Sequence, residues 1–254
     1  LGAGGFNFTH TTGAMGLDTL NVGEMFFARV AYTISDGVCM DSDSVIIKIT
    51  GVNDAPVADS NTYIASQASI LNVGAPGLLA DDDDIDHNSM IMVAAVNGLP
   101  GNVGNTISLP SGADLMVNAD GSFTYNPKCM VVGLDTFSYQ IKDEHNSFSI
   151  QAKVYISVDQ VMWFVDDNPN PSGSGSINNP FDQLSDAQTA SAPGDYIFVF
   201  PGVFPSNDSL ILKNDQKLFG ADENWNCPNG SNLRMANMTS TINGSILLAQ
   251  NDTI

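Results

Sequence analysis

Phe137-Ser138-Tyr139-Gln140-Ile141-Lys142-Asp143 repeats the pattern of Val30-Ala31-Tyr32-Thr33-Ile34-Ser35-Asp36. In both stretches alternate positions are apolar, the two-residue period of a half-buried strand, and an Asp closes the run before a polar turn. Each is followed by a long returning strand, residues 44–50 in the first copy and 147–158 in the second. An internal repeat fixes the size of the folding unit before any single element is assigned. It makes residues 1–54 the C-terminal part of one β unit and residues 55–159 a complete unit. Gly51-Val52-Asn53-Asp54-Ala55-Pro56 joins them, because Pro56 forces an extended approach and cannot donate to a ladder.

Working outward, strands are expected at 63–71, 90–96, 106–109, 114–118, 122–125, 136–142 and 147–158, separated by turn residues such as Ala119-Asp120-Gly121. Short strands at this spacing without a helical period read as a Greek-key β-sandwich of about 100 residues. After Asp159 the style changes. A strand at 162–167 leads to a Pro/Gly/Ser/Asn loop, and Asn179-Pro180 then provides an N-cap and first-turn proline for a helix over 181–190. Phe181, Leu184 and Ala187 share one face of that helix. Residues 196–200 form a continuous apolar strand, and shorter strands follow at 210–212, 217–219, 240–242 and 246–248.

Between the expected strands 63–71 and 90–96 lies Ala80-Asp81-Asp82-Asp83-Asp84-Ile85-Asp86-His87-Asn88, five aspartates with no Lys or Arg nearby. Like charges this close resist ionising together unless a counter-charge is supplied. A hard divalent cation such as Ca2+, which takes six to eight oxygen ligands, is the natural one; a solvated acidic pole is the alternative. In a sandwich this loop, the Asn53-Asp54 junction and the Asp143 turn share one pole. The expected ligands are therefore Asn53, Asp54, Asp84, Asp86, Asn88 and Asp143, with Ile85 turned into the core and Asp81 to Asp83 partly surplus.

Composition narrows the function. The chain has 254 residues, 28 acidic against 8 basic, and a formal charge of −20. That excludes nucleic acid and anionic membrane surfaces as partners, since both need clustered Lys and Arg. Only Glu24, Glu144 and Glu223 are glutamates, so the acidity is carried by short aspartates suited to turns and cation sites. No apolar run approaches the ~18 residues of a membrane span. Cys39, Cys129 and Cys227 lie far apart and read as small apolar residues, with neither a disulfide framework nor zinc spacing. His10, His87 and His145 stand alone in polar loops, and no nucleophile elbow or phosphate loop is present.

Gly51-Val52-Asn53-Asp54-Ala55-Pro56, Leu79 to Asp86, Asn118-Ala119-Asp120-Gly121-Ser122-Phe123-Thr124-Tyr125 and Asp135-Thr136-Phe137-Ser138-Tyr139 resemble the bacterial cadherin-like repeats, the VCBS and tandem Ig-like repeats of large surface adhesins. The resemblance covers roughly residues 20–158. It departs from the family at His87, where a Gly is usual, and at Asp143-Glu144-His145, where Asp-Gly is usual. It implies extracellular repeats stiffened by Ca2+ at their junctions. Trp163-Phe164-Val165-Asp166, Asn179-Pro180-Phe181, Ala192-Pro193-Gly194-Asp195 and Ile197 to Gly202 resemble the capped start of a right-handed parallel β-helix in autotransporter-like and polymorphic outer-membrane proteins.

The expected architecture is thus all-β: a partial cadherin-like sandwich (1–54), a complete one (55–159), and the cap and first coils of a parallel β-helix (160–254). The expected function is a non-enzymatic segment of a secreted or cell-surface adhesive protein. It would contact neighbouring repeats, and a glycan or protein receptor or copies of itself, without inserting into a membrane. Two alternatives stand beside it. One is a self-assembling surface-layer or filament subunit; the other is a carbohydrate-active β-helix enzyme, which would need facing carboxylates among Asp166, Asp167, Asp208, Asp215, Asp222 and Glu223.

Overall fold

The computed structural model describes residues 16–129 and 131–220, together with short strands at 225–226, 232–233, 240–242 and 246–247. Strands β1 (Met25–Ser35) and β2 (Met40–Thr50) form an antiparallel hairpin in continuous register from Met25↔Thr50 to Ser35↔Met40. Its turn is set by Asp36, whose Oδ1 accepts the amides of Val38 and Cys39 at 2.9 and 2.7 Å. Gly37 follows in the left-handed region that a β-carbon would strain.

Residues 57–159 build two four-stranded sheets. Strands β3 (Asn61–Ser66), β4 (Leu71–Val73), β5 (Met92–Val96), β6 (Thr106–Ser108), β7 (Asp114–Val117), β8 (Phe123–Asn126), β9 (Gly133–Lys142) and β10 (Ala152–Asp159) are arranged as β3-β10-β9-β5 and β4-β8-β7-β6. Only the β3–β10 pair is parallel. The expected single strand over 63–71 is instead two strands in different sheets, because the turn at Ser66–Ser69 switches the chain from one to the other. Alternation predicts which side chains meet: Phe137, Tyr139 and Ile141 from β9, Val154, Ile156 and Val158 from β10, and Phe123 and Tyr125 from β8 share one core. Each such fully buried side chain contributes about 1.5–3 kcal/mol.

Two tyrosines anchor this core to aspartates, the half-buried Asp82 and the buried Asp135. The Tyr139 hydroxyl donates to Asp82 (2.8 Å) and receives from Asn61 Nδ2, while the Asp82 carboxylate also accepts the Asp59 amide at 2.8 Å. Asp82 is therefore a structural group, not surplus acid. Tyr125 donates to Asp135 at 2.7 Å, and Ser111 shares that oxygen.

The third region is laid down largely in parallel. It comprises β11 (Met162–Val165), α1 (Leu184–Ala190), β12 (Tyr196–Val199), β13 (Gly202–Phe204), β14 (Leu210–Ile211), β15 (Lys217–Gly220), β16 (Trp225–Asn226), β17 (Asn232–Leu233), β18 (Ser240–Ile242) and β19 (Ile246–Leu247). β11-β12-β15 is a parallel sheet, β13–β18 and β14–β19 are parallel pairs, and β16–β17 is antiparallel. Helix α1 contributes Leu184 and Ala187 to its core, alongside Ile197, Val199, Leu210 and Leu218. The helix starts three residues later than 181, and its cap is not Asn179: Asp208 reaches in from the β13–β14 loop and accepts the amides of Leu184 (2.7 Å) and Ser185 (3.1 Å). A cap supplied from 24 residues away leaves no local sequence signal.

The two-sheet unit and the parallel region meet through a dry joint. Cys129 packs with Met162, Phe164 and Phe198. Buried Gln67 donates to the Cys129 carbonyl (2.6 Å) and accepts the amides of Val161 and Met162. The cysteines depart from expectation. Cys129 is buried but disulfide-bonded, its partner lying outside the described residues, and Cys39 is an exposed free thiol. Cys227 lies outside the described residues as well.

Candidate metal centre

The linker reaches the aspartate loop by a two-bond bridge: Val57 N–H donates to the Asp83 carbonyl (2.7 Å), and Asp83 N–H returns a bond to Val57 (3.1 Å). This clamps Asn53 and Asp54 alongside Asp84 and Asp86. From the other side comes the β9–β10 turn, where Asp143 Oδ1 accepts the amides of His145 and Ser147 and so orients Oδ2 toward the linker. Asn53 Nδ2 donates to that Oδ2 at 2.7 Å.

Asp86 sits in the middle. Its Oδ2 accepts the Asp54 amide at 2.8 Å, so the carboxylate is pinned to the linker backbone. Its Oδ1 is buried with no hydrogen-bond donor. The residue is 4% exposed. Burial, and then the charges of Asp84, Asp54 and Asp143, push its pKa above the ordinary carboxylate value, against the lowering effect of the Asp54 amide. Asp84 flanks it, with Oδ1 on the Asp86 amide and Oδ2 on the Ser89 hydroxyl. Among the described residues no Lys or Arg forms an ion pair with any of these carboxylates.

Of the six expected ligands, five are therefore gathered at one pole: Asn53, Asp54, Asp84, Asp86 and Asp143. Asn88 is not with them; it is exposed, left-handed at φ 58°, and its amide lies 3.1 Å from the His87 ring. Ile85 is half exposed instead of facing the core. Among the described residues no three acidic, His or Cys side chains stand close enough to grip an ion as they are placed. The donor set nonetheless fits a hard cation. It offers aspartate oxygens, a neighbouring amide and a buried carboxylate oxygen lacking any other partner, and it offers no nitrogen or sulfur ligand.

Sequence reasoning missed Glu144. Its carboxylate accepts the Met90 amide (2.9 Å), the Ser89 hydroxyl and Asn21 Nδ2 (3.0 Å), and these bonds, the Met90 amide foremost, hold its pKa down to about 2. The hairpin's lead-in segment closes the clasp. Asn21 also reaches the His87 carbonyl, the His87 amide donates to the Thr19 carbonyl (2.7 Å), and His87 Nδ1 lies 3.3 Å from Glu24. The one available signal was the departure from Asp-Gly at Asp143-Glu144.

Residues 53–160 match the family model of the bacterial cadherin-like domain. No curated protein sequence is similar to the chain. Among solved structures, an endo-fucoidan hydrolase of glycoside hydrolase family 107, MfFcnA4, is 16% identical at a TM-score of 0.26. A variant of it is 15% identical at a TM-score of 0.30. Each alignment covers 69% of this chain and 23% of the hydrolase. The chain thus spans less than a quarter of the structures it matches, and likeness at that level carries neither fold nor activity across.

Proposed function

We propose that this chain is a non-enzymatic, cation-braced segment of an extracellular structural or adhesive protein: a cadherin-like Greek-key sandwich between a preceding repeat and the start of a right-handed parallel β-helix. The observation that carries the reading is the orphaned Asp86 Oδ1, buried among Asp54, Asp84 and Asp143 at the point where the linker meets the loop. Ca2+ bound there would supply the positive charge that these carboxylates lack. The chain's own residues do the rest. Asp86 ties the linker backbone to the loop, Asp143 orients Asn53, and the Val57–Asp83 bridge holds the two segments in register.

Three further observations support an extracellular mechanical role. The cadherin-like match falls on the two-sheet unit. A disulfide at Cys129 suits an oxidising compartment. Two of the six carboxylates that an enzyme reading would draw on are engaged as scaffold, Asp208 capping α1 and Asp167 Oδ2 accepting the Val203 amide, while Asp222 and Glu223 lie outside the described residues. Extracellular modules bind Ca2+ with Kd on the order of 0.1–1 mM, which suits a site that assembles around the ion. Thermal melting and small-angle scattering with and without a chelator test the reading. Ca2+ removal is expected to lower the melting temperature and broaden the distribution of particle lengths; unchanged melting and unchanged dimensions would overturn it.

A further inference from the structure

A hydroxyl carries a single proton, and at the acidic pole two carboxylates converge on the same hydroxyl. Ser89 Oγ stands 2.8 Å from Asp84 Oδ2 and 3.1 Å from Glu144 Oε2. Ionised carboxylates only accept, so neither can return a proton and Ser89 serves one of them at a time. The two acceptors belong to different parts of the pole. Asp84 stands beside the orphaned Asp86, its Oδ1 on the Asp86 amide. Glu144 lies in the β9–β10 turn, and its Oε1 accepts Asn21 Nδ2 of the hairpin's lead-in segment at 3.0 Å.

The backbone under Ser89 is held while its hydroxyl is free to choose. The Ser89 amide donates to the Asp86 carbonyl at 3.1 Å, and the next amide, that of Met90, donates to Glu144 Oε2 at 2.9 Å. Passing the proton bond from one carboxylate to the other therefore takes a turn of the Ser89 side chain and no shift of the loop. The shorter bond goes to Asp84. A positive ion engaging Asp84 would offset that carboxylate's charge and leave the hydroxyl to Glu144. There it would pin the carboxylate that holds Asn21.

We infer that Ser89 couples cation binding at the aspartate loop to the clasp on the hairpin, by handing its one proton bond from Asp84 to Glu144 when the cation binds. The inference rests on the cation reading of the pole and adds to it the route by which occupancy reaches the hairpin. Coupling of this kind is reciprocal: a tightened clasp at Asn21 raises cation affinity by the same factor that the cation tightens the clasp.

Isothermal titration of Ca2+ reports binding, and hydrogen exchange at the Asn21 and Glu24 amides, with saturating Ca2+ and in chelator, reports the clasp. These amides close the lead-in turn on Glu24 Oε2 and the Asn21 carbonyl. In the unmodified chain Ca2+ is expected to slow their exchange by about fivefold or more. Ser89→Ala is expected to bind Ca2+ more weakly, and at saturation to show the same exchange at Asn21 and Glu24 as in chelator. Ser89→Thr, which keeps the hydroxyl, is expected to restore the slowing. Ca2+ binding that leaves Asn21 and Glu24 unchanged in the unmodified chain would overturn the coupling while leaving the cation site standing. Equal slowing in Ser89→Ala would overturn the role of Ser89 in the same way. Absence of Ca2+ binding to the unmodified chain would bring down the cation reading and the coupling together.

Discussion

Asp86 has one carboxylate oxygen bonded to the linker and the other buried without a donor, and this asymmetry gives it a definite pH signature. Its folded pKa lies above the ordinary 3.8, so without a cation the folded state keeps the proton to higher pH than the unfolded chain. Stability from this group is therefore fully present below about 3.8 and is lost as pH rises through the folded value. Glu144 runs the other way. Held down to about 2 from 4.5, it contributes above 4.5 and that contribution is lost as pH falls toward 2. Calorimetric melting across pH in chelator should thus show stability falling above the Asp86 transition, and Asp86→Asn should remove that fall. Tyr139 sets a second residue-level test. Tyr139→Phe leaves the half-buried Asp82 carboxylate without its hydroxyl donor, an expected loss of about 1 kcal/mol by denaturant unfolding.

Among elements, what the sequence made legible depended on local periodicity. The β1–β2 hairpin, β7, β8, β9, β10 and β12 all announce themselves by alternation or by an unbroken apolar run. The linker, the loop and the Asp143 turn fall at one pole because the strand order that alternation implies puts them there. What was hidden lies in side chains that act far along the chain. Asp208 caps α1 from 24 residues away, so Asn179-Pro180 drew the helix start too early. Gln67 satisfies three backbone groups across 62 to 95 residues, and nothing around Gln67 marks it. Both give element-scale predictions. Asp208→Ala should cost about 1–2 kcal/mol, seen as earlier melting of the parallel region. Gln67→Met keeps the volume but strands the Val161 and Met162 amides and the Cys129 carbonyl. It should cost about 1–3 kcal/mol for each group that water cannot reach, measured by urea unfolding.

At the scale of the molecule, the central two-sheet unit is held differently at its two ends. Toward the parallel region the contact is dry, built from Cys129, Met162, Phe164 and Phe198 around Gln67. Toward the hairpin it is polar and acidic, fastened by Asn21, His87 and Glu144 beside four aspartates in a chain of formal charge −20. The proposed cation site acts at the acidic joint alone: neutralising its carboxylates is expected to stiffen that joint, while the apolar joint, which holds no such carboxylates, is expected to be insensitive to cations. Cation binding at about a hundredfold excess over Kd would add roughly 2.7 kcal/mol to the folded state. Isothermal titration of Ca2+ into the unmodified chain and into Asp86→Asn examines this most directly. The account predicts binding with Kd on the order of 0.1–1 mM that weakens about tenfold or more in Asp86→Asn. Absence of binding, or equal affinity in the two proteins, would contradict it.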